Sequence, residues 1–291
     1  MLAVSLSLGG CIGWGEHKEE PSFQGESTTT RAPETTFTPP AEPLYPEVLE
    51  NPPVYRDEID ETPLVTEKNA AYLLLVNKQN PLGMEYVPEN LVDIPSNICV
   101  DKDLQMDARA LEALKLMMAE MRTEGITDTL VTSAYRSYEY QAGVYNKYLL
   151  DEMEGISKYA FQYLGDYYLY TNYDMNDKNV HLTREDAQRV VDSYSSAPGY
   201  SEHQSGLCVD FIEKGKSVLD ETFAESEAFA WLVENAYRFG FILRYPEGKE
   251  DVTGYSYEPW HYRFVGREAA TEIYAWGYTL EEYLYIQNSQ S

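Results

Sequence analysis

The stretch that decides the reading is Pro198-Gly199-Tyr200-Ser201-Glu202-His203-Gln204-Ser205-Gly206-Leu207-Cys208-Val209-Asp210-Phe211. It sets a histidine and an aspartate seven residues apart, with a glycine between them. Leu207, Val209 and Phe211 alternate with Cys208 and Asp210, the period of a strand with one buried face. Cys208 and Asp210 therefore share a face, and Gly206 permits a close backbone approach just before the strand. A second stretch, Glu258-Pro259-Trp260-His261-Tyr262-Arg263-Phe264-Val265-Gly266, brings another histidine close to an acid. Two neutral imidazoles and a carboxylate suit zinc, with a fourth position left for water. Glu258 would then be free to handle protons. The competing reading is ordinary: the chain has four histidines (His17, His181, His203, His261), and a single histidine is more often a surface or core residue. No His-Glu-x-x-His helix is present to decide between them, and His181 carries no role.

Taken together, the two stretches carry a resemblance. Ser201-x-His203-x-x-Gly206-x-x-x-Asp210 followed by Glu258-x-Trp260-His261 resembles the zinc D,D-carboxypeptidases of the VanY type, within the M15 peptidases. Ser133-Ala134-Tyr135-Arg136-Ser137-x-x-x-Gln141, Gly240-Phe241-x-x-Arg244-Tyr245-Pro246 and Thr279-Leu280-Glu281-Glu282-Tyr283 add to it in the family's order, from about Ala71 to Tyr285.

The resemblance implies Zn2+ held by His203, Asp210 and His261, with Glu258 as general base. It also implies a substrate-facing Arg136, whose guanidinium fork suits a terminal carboxylate or an oxyanion. Ser133, Gln141, Ser201 and Trp260 are the implied substrate contacts. The implied reaction is removal of a terminal D-alanine from a peptidoglycan stem peptide. L,D cleavage of a tetrapeptide, an endopeptidase of the cross-bridge, and a catalytically inactive wall-binding module stay open as alternatives. The implied fold is α+β, a small mostly antiparallel sheet flanked by helices, of the D,D-peptidase and hedgehog-like kind.

The rest of the chain falls into three parts. Residues 1–11 form a short apolar run ending in Leu8-Gly9-Gly10-Cys11, which resembles a bacterial lipobox with Cys11 as the lipidated residue. Such a run is far too short to span a bilayer. Residues 12–68 are rich in Thr, Pro, Glu and Ser, and read as a disordered tether. About fifty residues of coil average roughly 40 Å end to end, and reach up to about 160 Å when stretched. Residues 69–288 form the expected catalytic domain. A lipid-anchored monomer on the outer face of a bacterial membrane, reaching into the wall, is the expectation. The balance is acidic, 49 Asp and Glu against 22 Lys and Arg for a net charge of −27, which disfavours nucleic acid and anionic lipid heads.

Within the domain, Tyr72–Lys78 reads as a strand, and Leu111, Leu114, Met118 and Met121 mark an amphipathic helix ending at Gly125. Asp128–Tyr135 reads as a strand delivering Arg136, and Ser137 as the cap of a helix carrying Gln141 in its first turn. Residues 151–182 exceed the family's usual interval. Tyr159, Tyr163, Tyr167 and Tyr170 recur there at helical spacing, which predicts a packed helix burying the stripe; an aromatic wall for glycan or peptide is the alternative. Thr183-x-x-Asp186 opens a further helix. Ser226–Phe239 reads as a helix with Phe229, Leu232, Val233 and Ala236 on one face, followed by strands at Phe241–Tyr245 and Trp260–Val265. Three steps along a strand reverse the side, so Glu258 and His261 can meet only if the chain bends near Pro259. Two more helices follow, one ending at Gly277 and one capped by Thr279-x-x-Glu282. Cys99 and Cys208 are expected as free, buried thiols.

Overall fold

The computed structural model describes residues 37–52, 71–101 and 103–289. In chain order the elements are α1 (Pro46–Glu50), β1 (Leu91–Asp93), β2 (Gln105–Asp107), α2 (Ala108–Thr123), β3 (Thr129–Ser133), α3 (Tyr138–Glu154) and α4 (Lys158–Asn172). They continue with α5 (Arg184–Tyr194), β4 (Cys208–Glu213), α6 (Glu227–Asn235), β5 (Phe241–Leu243), α7 (Glu250–Thr253), β6 (His261–Phe264), α8 (Arg267–Trp276) and α9 (Leu280–Ser289). The fold is α+β. A four-stranded antiparallel sheet has the order β3-β4-β6-β5, and β1 and β2 form a separate two-stranded ribbon.

Alternation along the strands gives this sheet two unlike faces. Val131, Val209, Phe211, Phe241, Tyr262 and Phe264 enter the main core against Leu114, Met117 and Met121 of α2 and Leu232 of α6. The alternate positions hold Cys208, Asp210, His261 and Arg263, with Arg244 just past β5, and all five are buried. Ile242 and Val265, also at alternate positions, join a smaller cluster with Ile273 of α8 and Leu280 and Tyr283 of α9. The register sets Ser133 beside Asp210 and Asp210 beside His261, a polar row across three strands.

Local chemistry explains the helix ends. Asp107 caps α2 through the Arg109 and Ala110 amides, Ser137 caps α3 through Tyr140, and Thr183 caps α5 through Asp186. A complete capping box opens α9: the Glu282 carboxylate accepts from Thr279 N at 2.8 Å and Thr279 Oγ1 accepts from Glu282 N at 3.2 Å.

Four expectations change. Residues 72–78 form no ladder strand; among them only Asn77 makes an isolated bridge, to Asn80. The carbonyls of Tyr72 and Leu74 instead accept from Arg263 Nη2 at 2.9 and 2.8 Å, so a guanidinium takes the place of a neighbouring strand. The tyrosine stripe is not buried: Tyr163, Tyr167 and Tyr170 are 53%, 83% and 70% exposed. Gly165, at φ 76°, interrupts α4 and breaks the helical phase, and Ala160 and Leu169 face Leu149, Ala187 and Val190 instead. The helix expected through Phe239 ends at Asn235 and tightens into a 3₁₀ turn, Ala236–Phe239; Trp231 is buried on it and Val233 exposed. Finally, Pro46–Glu50 is helical within the stretch expected to be a tether. The adjoining Tyr45 stacks on Tyr274 at 4.7 Å and donates its amide to the Ala275 carbonyl. Most of that tether, and the whole of residues 1–11 with Cys11, lie outside the described residues.

Candidate metal centre

The loop that delivers His203 is pinned at both ends. Glu202–Ser205 is a 3₁₀ turn closed by Gly206 at φ 71°, where a side chain would meet Leu91 and Pro88 at 3.0 and 3.1 Å. The Gly206 carbonyl accepts from Asp107 N at 2.8 Å, tying the loop to the start of α2. On its other side, His203 Nδ1 lies 2.6 Å from the Ala134 carbonyl, and the His203 carbonyl accepts from Arg136 N at 3.2 Å. The segment leaving β3 thus holds the histidine and places Arg136 next to it.

The predicted bend at Pro259 is a turn. His261 N donates to the Glu258 carbonyl at 3.1 Å, with proline at the second position, where its fixed φ suits such a turn. It brings Glu258 Oε2 to 3.5 Å from His261 Nδ1.

Asp210 sits between the two imidazoles. Its Oδ2 is 3.2 Å from His203 Nε2 and its Oδ1 is 3.1 Å from His261 Nδ1. Each ring nitrogen on the far side already has an acceptor: Ala134 O for His203 and Glu202 Oε2, at 3.1 Å, for His261. A neutral imidazole has one N–H, so both rings spend it outward and turn lone pairs toward a carboxylate. Asp210 Oδ1 is accordingly buried with no hydrogen bond. Lone pairs facing lone pairs require a cation between them, either protons or a metal ion.

The electrostatics follow. Burial, then Arg136, lower the His203 pKa, but Asp210 and Cys208 outweigh them and push it up to about 9. Burial lowers the His261 pKa too, yet Cys208, Asp210 and Glu202 carry it well above the ordinary value. Asp210 and Glu202 are held far below the usual carboxylate range: burial opposes this, and the two histidines and the two arginines, respectively, overcome it. Glu258 behaves oppositely, since burial raises it to about 7 in spite of His261.

The donor set fits a tetrahedral divalent cation such as zinc: two imidazole nitrogens, each hydrogen-bonded on its far side, and one carboxylate. A second set overlaps this one: His203, Cys208 and His261 offer ligand atoms within 4.8 Å of one another. Cys208 and Cys99 are both free and buried.

The remaining predicted residues surround this centre in different ways. Arg136 is half-buried, and its Nε has no hydrogen-bond partner. Ser133 and Trp260 are half-buried, Ser133 beside Asp210 in register and Trp260 directly before His261. Gln141 and Ser201 are fully buried, and the Gln141 side-chain amide donates to the Ser196 carbonyl at 2.6 Å. The Gln141 amide thus ties α3 to the loop that leads into Ser201. Sequence reasoning gave no role to Glu202, Arg244 or Arg263, which lie buried against one another beside His261. The available signal was polar: an arginine ending the apolar run Phe241-Ile242-Leu243 and another inside β6.

Comparison with known proteins places this geometry. Residues 103–267, more than half of the chain, match the family model VanY, described as D-alanyl-D-alanine carboxypeptidase. A D-alanyl-D-alanine carboxypeptidase of Enterococcus faecalis is 36% identical over 212 residues, covering 73% of this chain and 65% of the relative. The chain thus spans a little under two-thirds of that relative's length. A solved vancomycin-resistance D,D-pentapeptidase VanY, a Glu-to-Ala mutant in complex with Zn(II), superposes with TM-score 0.54 and 34% identity, covering 74% of this chain and 99% of that one. The LdcB LD-carboxypeptidase superposes with TM-score 0.56 and 32% identity, covering 79% and 92%.

Proposed function

The chain belongs to the VanY family of D-alanyl-D-alanine carboxypeptidases, and from that membership we propose that it is a zinc-dependent carboxypeptidase removing the terminal D-alanine from peptidoglycan stem peptides. The observation that carries this reading is the pair of imidazoles turned onto the buried Asp210, with Glu258 alongside. His203, Asp210 and His261 are the proposed zinc ligands. Zinc supplies Lewis acidity there, making a water acidic and polarising the scissile carbonyl.

The chain's own residues do the rest. Glu258, poised near neutrality by burial, takes the proton of the attacking water and passes it to the nitrogen of the departing D-alanine as the C–N bond breaks. Arg136 meets the negative oxygen of the substrate, as its terminal carboxylate or as the developing oxyanion. Ser133, Gln141, Ser201 and Trp260 are the proposed substrate contacts, with the Gln141 amide also holding the Ser196 carbonyl. The substrate class puts the site of action outside the cytoplasm, and we assign Cys11 as the lipid anchor on its sequence alone. No described helix is long and apolar enough to cross a membrane. Labelling with a radioactive fatty acid is expected to mark the wild type and not Cys11→Ser; equal labelling removes the anchor.

A digest of defined stem peptides, with and without chelator, tests the reaction by mass spectrometry. Loss of one alanine from the pentapeptide, abolished by chelator and restored by zinc, is expected. Loss of alanine from the tetrapeptide alone would make the enzyme L,D-specific, a reading that the likeness to an LD-carboxypeptidase supports. Cleavage within a cross-bridged dimer would indicate an endopeptidase, and no cleavage a wall-binding module.

A further inference from the structure

Glu202, the residue before His203, has its side chain fully buried among cations. Its Oε1 accepts from Arg244 Nε at 2.8 Å and Arg263 Nη1 at 2.5 Å, and its Oε2 lies 3.1 Å from His261 Nε2. Both arginines are committed elsewhere as well. Arg244 makes a two-pronged pair with Glu281 of α9 at 2.8 and 2.6 Å, and Arg263 Nη2 holds the Tyr72 and Leu74 carbonyls. Asn77 completes the chain by donating to Glu281 Oε1 at 3.1 Å. Three of the separate motifs in the sequence, around Glu202, Arg244 and Glu281, therefore meet in one buried network that ends on His261.

We propose that Glu202 is the positioning residue that sets the tautomer of His261. An ionised carboxylate can only accept, so His261 Nε2 must carry a proton, and in the neutral ring that a metal ligand must be, Nδ1 presents its lone pair toward Asp210. The two guanidiniums, which only donate, keep Glu202 ionised and fix which oxygen faces the ring. This rests on the proposed role of His261 as a zinc ligand, and it adds the group that makes the ring a ligand through Nδ1.

Glu202→Gln is the discriminating change because it is nearly isosteric. The amide oxygen must take the arginine side, where both neighbours donate, which leaves the NH2 facing His261 Nε2. That nitrogen must then accept, the ring proton moves to Nδ1, and the ligand lone pair is lost. Zinc affinity of the full chain, measured by competition with a chromophoric chelator, is expected to fall about 10–100-fold or more. Glu281→Gln removes the same charge from the far side of Arg244 without touching the ring, and is expected to leave zinc affinity within about threefold. Equal losses in the two variants would reduce Glu202 to a structural ion pair and overturn the proposal.

A measurement on the unmodified protein covers the case in which Glu202→Gln does not fold. Long-range proton–nitrogen correlation spectra of the zinc-loaded chain are expected to show His261 protonated at Nε2 and shifted by metal at Nδ1, with His203 the reverse. Coordination of His261 through Nε2 overturns the tautomer assignment while leaving the metal site intact. Absence of any zinc-dependent shift at either ring overturns the metal site itself, and the assignment with it.

Discussion

The two faces of the four-stranded sheet are buried to a similar degree by different means. On one, Val131, Val209, Phe211, Phe241, Tyr262 and Phe264 pack against α2 and α6, and each contributes by the apolar area it removes from water. On the other, Glu202 from the preceding turn joins Asp210, Arg244, His261 and Arg263, each costly to desolvate and each tolerable only because of its partners. The apolar face can be changed one side chain at a time at a cost that scales with volume. The polar face behaves as a unit, because removing one charge strands the next. Placing both on the same short strands gives the proposed metal ligands a rigid backing: Phe211 and Asp210 are neighbours in sequence and point in opposite directions.

Three experiments test whether the two faces are separable. The largest expected effect is on turnover. Glu258→Ala should lower kcat about 10²–10⁴-fold, the usual worth of a positioned base, while zinc content and melting temperature stay as they were. Full activity in that variant would remove Glu258 from the chemistry.

On the opposite face, Phe211→Ala should cost about 3–5 kcal/mol of stability through cavity formation, read by urea denaturation of the zinc-loaded protein. Zinc affinity of the folded fraction should change little. If affinity falls in step with stability, the two faces are not separable and the contrast fails.

The smallest effect is a pH dependence. In the metal-free protein the raised His203 pKa keeps that ring protonated at pH 7, and zinc must expel the proton. Zinc affinity should therefore climb between pH 7 and about 9, by up to about tenfold per pH unit for each proton displaced, and this contribution should level off above 9. The sign for folding is opposite. A pKa raised from 6.5 to about 9 stabilises the metal-free fold fully below pH 6.5, and that contribution disappears as the pH rises through about 9. Calorimetry in buffers of different ionisation enthalpy counts the protons released, and a value of zero at pH 7 would contradict the charged state of the empty site.

The insertion at 151–182 shows where reading by pattern stops. Helical spacing of Tyr159, Tyr163, Tyr167 and Tyr170 indicates a helix correctly, but spacing cannot say which side faces inward once Gly165 breaks the phase. Small apolar residues, Ala160 and Leu169, take the inner positions, and the larger tyrosines carry hydroxyls that water can satisfy. Capping, by contrast, was readable at three helices: Ser137, Thr183 and the Thr279–Glu282 box all act on amides within three residues of themselves.

Features that depend on near neighbours along the chain can be read from it directly. The alternation at 207–211 places Asp210 on one face, Gly206 turns the loop, and Pro259 forces the bend that lets Glu258 and His261 meet. The remaining features come from folding, because they depend on segments distant in sequence arriving at one place. Tyr72 and Leu74 forgo a strand because Arg263, some 190 residues later, takes their carbonyls. Glu202 can be ionised and dry because Arg263 of β6 and Arg244, just past β5, converge on it. Desolvation makes such a charge intolerable without partners, and no local pattern encodes which partners will come.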